Sequence, residues 1–333
     1  MFELSFIWAG IIAFAVLTYV ILDGFDLGVG ILFPFAKSER DRATMMNSVA
    51  PIWDGNETWL VLGGGGLFAV FPLAYAVIMP ALYMPIILML LALIFRGVAF
   101  EYRWRTERWK PVWDIAFAGG SLVAAFMQGI ALGALVQGIE VADRAYAGGW
   151  WDWLSVFSIL TGFAVVIGYA LLGATWIILK TEGSLQRQMQ NYAWWLGAGT
   201  LSFIGIVSIL TPFQDPEYFR RWFNLPGSIF SVLMPGAVAA TAWALFSGLN
   251  AGKDGQPFFA ALSLFVLSFI GIGVSFYPNI VPPNLTIVAA AAPDESLLFA
   301  LVGTVVLVPL ILIYTGYAYW VFRGKIDPEE GYH

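Results

Sequence analysis

The stretch SFIWAGIIAFAVLTYVILDGFDLGVGILF, residues 5–33, decides the fold. As an α-helix it is about 43 Å long at about 1.5 Å per residue, more than the roughly 30 Å of a membrane's hydrocarbon core. Its first eighteen residues are uncharged, and it runs past Leu22 without the small-residue pattern of a signal-peptide cleavage site. We therefore predict a transmembrane helix here.

Similar apolar runs recur along the whole chain, separated by polar or Pro/Gly-containing breaks. The chain has 333 residues, 60% hydrophobic and only 11% charged, which is too few charges to cover a soluble surface. The nine predicted spans are 5–34, 51–71, 75–101, 112–138, 152–180, 192–211, 222–248, 257–279 and 296–322. The sequence thus predicts an all-α polytopic membrane protein with about nine transmembrane helices.

The predicted architecture is a single membrane-embedded domain, 1–333, with approximate halves 1–140 and 141–333. We expect two four-helix bundles plus one peripheral helix, surrounded by membrane lipid. The segment from Tyr277 to Ser296 is rich in Pro and Ala, which predicts an ordered loop. No basic cluster suggests nucleic acid. The chain has no cysteine, and its one histidine, His333, is expected to be a solvated tail residue.

Orientation follows from the basic residues. Counting Arg96 with its nearest loop, thirteen of the sixteen Lys and Arg residues fall after odd-numbered spans or in the carboxyl-terminal tail. Cytoplasmic loops of membrane proteins carry the excess of Lys and Arg. The sequence therefore predicts the amino terminus outside and the carboxyl terminus in the cytoplasm, which agrees with an odd number of spans.

Four acidic residues lie at the predicted cytoplasmic ends of the first two spans. Asp23 and Asp26 are three residues apart, as are Asp54 and Glu57, so each pair shares a helix face. Asp23 is predicted just inside the cytoplasmic boundary and Asp26 at the interface. Asp54 follows Pro51 in a first helical turn, where the helix dipole favours an ionised carboxylate. Carboxylates at membrane depth are costly unless paired or hydrated, so these residues are functional candidates.

The end of the third span adds further charged residues. Arg96 is the deepest cation and needs a carboxylate, a carbonyl or water as a partner. Glu101 and Arg105 have the i,i+4 spacing of an ion pair. From the residues alone, two interpretations stay open: a water-lined proton entrance, or a structural network in which the acids pair with Arg96 or Arg103.

Small and amide residues predict contacts between helices. Gly24 and Gly28 form a small-xxx-small pair that allows close approach of another helix. The four glycines of 63–66 are costly in a helix and also indicate tight packing. Gln128 and Gln137 could hydrogen-bond across helices.

Three motifs together resemble a known family. They are DGFDLGVG at 23–30, NSVAPIWDGNETW at 47–59 and FRGVAFEYR at 95–103, with the glycines of 63–66 following the second. In this order and spacing they resemble subunit II of cytochrome bd-type quinol oxidases, including the cyanide-insensitive branch. The motif-based match covers roughly the first 140 residues. Beyond them, only the number of spans and their hydropathy support it.

The resemblance implies a heterodimer in the prokaryotic cytoplasmic membrane that oxidises quinol and reduces oxygen to water. A haem-bearing subunit I would ligate the b-type and d-type haems, and this chain would ligate none. Some complexes of this kind would also contain a small accessory subunit, and a structural quinone could be bound. It also implies a proton path through Asp23 and Asp54. Asp26, Glu57, Arg96, Glu101 and Arg103 are the expected supporting polar network.

Two rival functions are considered beside this one. A proton-coupled secondary transporter would also contain intramembrane acids, but transporters usually hold them near the midplane in discontinuous helices. A scaffold subunit would use the acids only to stabilise assembly.

Overall fold

Residues 3–225 and 227–326 are described by the computed structural model, and most of them are helical. His333 lies outside the described residues. The helices are α1 (Leu4–Leu32), α2 (Glu39–Asn47), α3 (Trp53–Val70), α4 (Pro72–Ala81), α5 (Tyr83–Tyr102), α6 (Lys110–Gln137), α7 (Val156–Lys180), α8 (Gly183–Leu210), α9 (Pro216–Phe223), α10 (Ser228–Asn250), α11 (Gly255–Phe276), α12 (Ile287–Ala290) and α13 (Asp294–Val321).

Eight helical segments of the described chain are long and apolar enough to cross a membrane. They are Leu4–Phe35, Tyr83–Arg105, Lys110–Gln137, Val156–Lys180, Gly183–Phe213, Ser228–Asn250, Gly255–Phe276 and Asp294–Val321. The remaining predicted span, 51–71, corresponds to α3, which is less apolar because Asp54, Asn56, Glu57 and four glycines lie within it. These nine helices occupy the positions of the nine predicted segments.

The third predicted span, 75–101, is not one continuous helix. It is α4 followed by α5, and the two are separated at Leu82. Pro85 has no N–H to donate to the carbonyl of Ala81, and Pro80 likewise cannot donate within α4, so the helical hydrogen bonding is interrupted here.

Two predicted boundaries also differ from the structure. The sixth span, predicted as 192–211, begins at Gly183 because its polar first turns find partners: Gln186 Nε2 donates to Ile178 O at 3.0 Å and to Asp254 Oδ1 at 2.8 Å. The seventh, predicted as 222–248, begins at Ser228, since 216–223 form the separate amphipathic helix α9. Hydropathy alone cannot locate a helix end that lies beyond the apolar run.

The helices pack as two groups joined by α1, α6 and α7. One group contains α1, α3, α5 and α6, the other α7, α8, α10 and α11, and α13 lies along α1 and α3 with most of its surface exposed. This is the predicted arrangement of two four-helix bundles plus one peripheral helix.

The contact between α1 and α7 depends on glycine. A Cβ at Gly28 would overlap the Tyr169 carbonyl oxygen, and one at Gly173 would overlap the backbone of Gly28. The predicted close approach at Gly24 and Gly28 is therefore confirmed, with α7 as the neighbour. In α3, Gly63 and Gly66 face Val16 and Ile12 of α1, whereas Gly64 and Gly65 meet no atom of the described chain within 4 Å, so the tight packing predicted for the glycine run is found at two of its four positions.

Two short hairpins lie at the predicted outer ends of the helices. Val141–Ala142 (β1) pairs with Ala145–Tyr146 (β2), and Asn279–Val281 (β3) pairs with Leu285–Thr286 (β4). The second hairpin and α12 form the connection from Tyr277 to Ser296, which is ordered as predicted. The buried acids Asp23 and Asp26 lie in the half of α1 that is away from these hairpins, and buried Arg96 lies in the corresponding half of α5.

Candidate functional site

The centre of the site is an arginine between two helices that carry acids. Arg96 of α5 is fully buried, and so are Asp23 and Asp26 of α1. Its Nη1 lies 3.7 Å from Asp23 Oδ1 and donates to Glu57 Oε1 at 2.9 Å. Arg96 was predicted to need a carboxylate, a carbonyl or water as a partner, and the structure gives it two carboxylates. The expectation that Asp26 lies at the interface finds no support in its burial, because α1 is surrounded by other helices at that level.

Glu57 connects this buried cluster to the protein surface. Its side chain is 23% exposed, whereas Arg96 and Asp23 are at most 1% exposed. The guanidinium also lies over the rings of Trp53 (5.9 Å) and Phe100 (5.4 Å), which stack on each other. The aromatic rings thus fix Arg96 laterally while the carboxylates determine where its N–H groups point.

Asp26 is held by residues that the sequence argument did not single out. Asn56 Nδ2 donates to Asp26 Oδ2 at 2.6 Å, and Tyr319 of α13 donates its hydroxyl to Asn56 Oδ1 at 2.9 Å. Asn56 lies within the second motif, so its position beside Glu57 was a usable signal. Tyr319 is 263 residues away in sequence, and no local pattern indicates this contact.

Several acceptor and donor atoms of the cluster remain without hydrogen-bond partners among the described residues. These are both carboxylate oxygens of Asp23, Oδ1 of Asp26, and Nε and Nη2 of Arg96. Buried polar groups of this kind are rare in native proteins and often mark a functional role. The cluster can accept protons as well as stabilise charge.

A line of polar side chains continues from Asp23 towards the interior. The Tyr19 hydroxyl faces the Asp23 carboxyl and accepts a hydrogen bond from Gln128 Nε2 at 2.9 Å. Tyr169 of α7 donates to Gln128 Oε1 at 2.7 Å. The prediction that Gln128 bonds across helices is confirmed, and so is that for Gln137, which accepts from Ser155.

The structure does not bring the other predicted site residues into this cluster. Asp54 lies on the exposed face of α3, where its backbone carbonyl accepts from Thr58 Oγ1 at 3.2 Å. Glu101 is also exposed and pairs with Arg105 at 3.6 Å, as the i,i+4 spacing predicts. Both helices turn these positions outwards, because the inward positions of each turn are taken by Glu57 and Arg96.

Arg103 belongs to a second, separate ion-pair network. It is buried, and it donates from Nε to Asp114 Oδ1 at 2.5 Å and from Nη2 to Glu39 Oε1 at 2.7 Å. Lys110 Nζ lies 2.9 Å from the same Glu39 oxygen. Partial burial acts to raise the pKa of Glu39, but hydrogen bonds from Lys110 and Arg103 outweigh it, so this pKa is lower than usual. This network ties α2 to α5 and α6.

Sequence comparison identifies the chain's relatives. The family described as cytochrome bd terminal oxidase subunit II matches residues 4–322. The chain belongs to this family. It is 30% identical to the cytochrome bd-I ubiquinol oxidase subunit 2 of Escherichia coli strain K12, over 98% of this chain and 96% of the relative. It is 29% identical to the cytochrome bd ubiquinol oxidase subunit 2 of Bacillus subtilis strain 168, over 99% of both chains.

The fold of this subunit II is also found in a solved structure. The bd oxidase from Geobacillus thermodenitrificans contains a chain that matches with a TM-score of 0.77 at 16% identity, over 96% of this chain and 99% of that one. At this identity the likeness shows the fold alone. The resemblance inferred from the three motifs is therefore confirmed and extends well beyond the first 140 residues.

Family membership makes this subunit II a multi-pass membrane protein whose oxidase also has a subunit I, and the family's haems are expected in that partner. A cavity of about 430 Å³ lies between α8 and α10. Its lining residues are Gln190, Asn191, Trp194, Trp195, Leu249 and Asn250. None of these residue types is a usual ligand of haem iron, so a haem does not fit this cavity.

Proposed function

We propose that this subunit II supports a haem-bearing subunit I and supplies a cytoplasmic proton entrance for the reduction of oxygen to water by quinol. The observation that carries the proposal is the cluster in which the carboxyls of Asp23 and Glu57 flank the buried guanidinium of Arg96, with the buried carboxyl of Asp26 one turn from Asp23 on α1.

The cluster is placed on the cytoplasmic side by the positive-inside rule, with the carboxyl terminus in the cytoplasm and the amino terminus outside. Asp23 then lies nine residues, or about 14 Å, from the cytoplasmic end of α1 at Leu32. Asp23 is buried inside the bundle, and partly exposed Glu57, on the other side of Arg96, connects it to the surface.

Charge balance favours proton exchange over a purely structural role. One guanidinium compensates one carboxylate, and an uncompensated carboxylate in a membrane interior costs several kcal/mol, of order 3. The cluster therefore favours states in which at least one of its three carboxyls carries a proton. A carboxyl whose protonated form is favoured by only a few kcal/mol can release its proton when an acceptor becomes available.

The direction of transfer follows from exposure. Asp54 is exposed at the surface of α3, and Glu57, one turn further along, is partly exposed and reaches inwards to Arg96, so we assign these two the collection of protons from the cytoplasm. Asp23 is the buried recipient beyond Arg96. Arg96 itself stays protonated and holds Asp23 and Glu57 in place on either side of its Nη1.

Haem and quinol chemistry belong to the partner in this proposal. Haem iron is bound through His, Cys, Met or Tyr, and none of the nine predicted spans contains His or Cys. The buried methionines of the described chain, Met45, Met46, Met89 and Met189, lie in the hydrophobic core among apolar side chains. Nothing in this inventory suits the b-type and d-type haems, which we assign to subunit I.

The test is Asp23→Asn in the complex with subunit I, purified in mild detergent. We expect quinol oxidase turnover to fall by about a hundredfold, the scale of losing a positioned proton donor, while the visible haem spectrum is unchanged. Glu101→Gln is the matched control, since Glu101 is an exposed carboxylate at the same membrane face. Its turnover should equal that of the unmodified complex.

Each rival function predicts a different result. Full turnover and proton uptake in Asp23→Asn would refute conduction and favour the scaffold function. If the tagged chain purifies as a colourless homo-oligomer without a haem-bearing partner, the transporter function is favoured instead.

A further inference from the structure

Tyr19 has a position that the proton entrance alone does not explain. It lies four residues before Asp23 on α1, so the two side chains share a helix face one turn apart. Tyr19 is only 4% exposed, and its hydroxyl faces the Asp23 carboxyl. It is therefore the first polar group on the interior side of Asp23.

The direction of the Tyr19 hydroxyl is determined by its neighbours. Gln128 lies between two tyrosines: Tyr169 donates to its Oε1 at 2.7 Å, and its Nε2 donates to the Tyr19 oxygen at 2.9 Å. A phenol has one proton to donate. The Tyr19 oxygen already accepts from Gln128, and neither oxygen of Asp23 has a hydrogen-bond partner among the described residues, so the Tyr19 proton is available to the carboxylate one helical turn away.

We infer that Tyr19 is a positioning residue for Asp23, and that Gln128 and Tyr169 fix its hydroxyl in the donating direction. This inference rests on the proposed role of Asp23 in proton uptake. A hydroxyl that donates to a carboxylate stabilises the ionised form and fixes its rotamer. The amide of Gln128 cannot readily pass a proton on, so this line of residues supports Asp23 and is not a branch of the proton path.

Other charged and titratable groups also act on Asp23 from each neighbouring helix. Arg96 lies on α5 and Glu57 on α3, with Asp26 on α1 itself. Tyr169 acts from α7 and Tyr319 from α13. Tyr19→Phe leaves all of these in place and removes a single oxygen, so a change in Asp23 titration can be assigned to the lost hydroxyl.

The experiment is a pH titration of the intact oxidase complex by infrared difference spectroscopy. The carboxyl band that disappears in Asp23→Asn identifies Asp23. In Tyr19→Phe we expect the midpoint of this band to move to higher pH by about one unit, a tenfold gain in proton affinity, because the one hydroxyl that can donate to the ionised form from the interior side is removed. The haem spectrum should be unchanged, which shows that the complex is intact.

Coupling between the residues tests the rest of the inference. Gln128→Leu should move the midpoint in the same direction by a smaller amount, and should add nothing in the Tyr19→Phe background. Tyr218→Phe is the matched control: Tyr218 is a buried tyrosine on α9, away from Asp23, and its loss should leave midpoint and turnover unchanged.

The outcomes separate this inference from the proposed function. An unchanged midpoint in Tyr19→Phe, or an additive effect of Gln128→Leu, overturns the inference even if Asp23→Asn abolishes turnover. Full turnover in Asp23→Asn overturns the proposed function, while a shifted midpoint in Tyr19→Phe would still support the positioning contact. A wild-type Asp23 that does not titrate over the accessible pH range overturns both.

Discussion

Replacing Arg96 by Met is the most informative perturbation of the buried cluster. Met removes the charge and keeps an unbranched side chain that can fill the same space. Arg96 is 0% exposed, and its Nη1 lies 2.9 Å from Glu57 and 3.7 Å from Asp23. Removing one partner of a buried ion pair leaves the other uncompensated and costs about 3–5 kcal/mol. We expect Arg96→Met to destabilise the complex by this amount at neutral to alkaline pH.

The pH dependence of this loss gives a second, independent check. Without Arg96, the carboxyls of the folded variant bind protons more tightly than those of the unmodified protein. A folded state that binds more protons loses stability as pH rises, so the difference between the two proteins should grow with rising pH and shrink with falling pH. Asp23→Asn in the Arg96→Met background should restore part of the stability, since it removes one uncompensated carboxylate.

The assay is unfolding of the purified complex by a graded increase of denaturing detergent, followed by haem absorbance and tryptophan fluorescence. Arg105→Met is the control, because its pair with Glu101 is mostly exposed and such pairs contribute about 0–1 kcal/mol. Arg96→Met with unchanged stability at alkaline pH would refute the account of the cluster. So would a loss that neither pH nor Asp23→Asn alters.

Two further predictions concern packing and the peripheral ion pairs. Gly28→Leu should abolish assembly, because even a Cβ at this position overlaps the Tyr169 carbonyl. Gly64→Ala is the control and should assemble normally, because a Cβ there meets no atom of the described chain within 4 Å. Size-exclusion chromatography of the complex distinguishes the two outcomes. The pKa of Glu39 is lowered in the folded state, so its contribution to stability is present above the ordinary value for Glu, about 4.3, and is lost as pH falls through the lower folded value. Glu39→Gln should therefore weaken the acid dependence of unfolding in the acid range, and an unchanged dependence would contradict this sign.

The sequence predicts the spans well because each one is a long apolar run, and it predicts their ends poorly. Hydropathy misses the first turns of α8, because they are helical but polar. It also misses the interruption at Leu82, because that break comes from the backbone N–H that Pro85 lacks. Glycine spacing correctly indicates close contact at Gly28. It cannot say that α7 is the neighbour, since that is a property of the tertiary structure.

The candidate site shows the same limit more clearly. Charge and depth predict that Arg96 needs a polar partner. That Asp23 and Glu57 are the partners depends on how α1, α3 and α5 pack together. Asp54 and Glu101 belong to the same short motifs, but their helical phase turns them outwards. Tyr319 joins the site only through α13, so no local pattern of the sequence contains it.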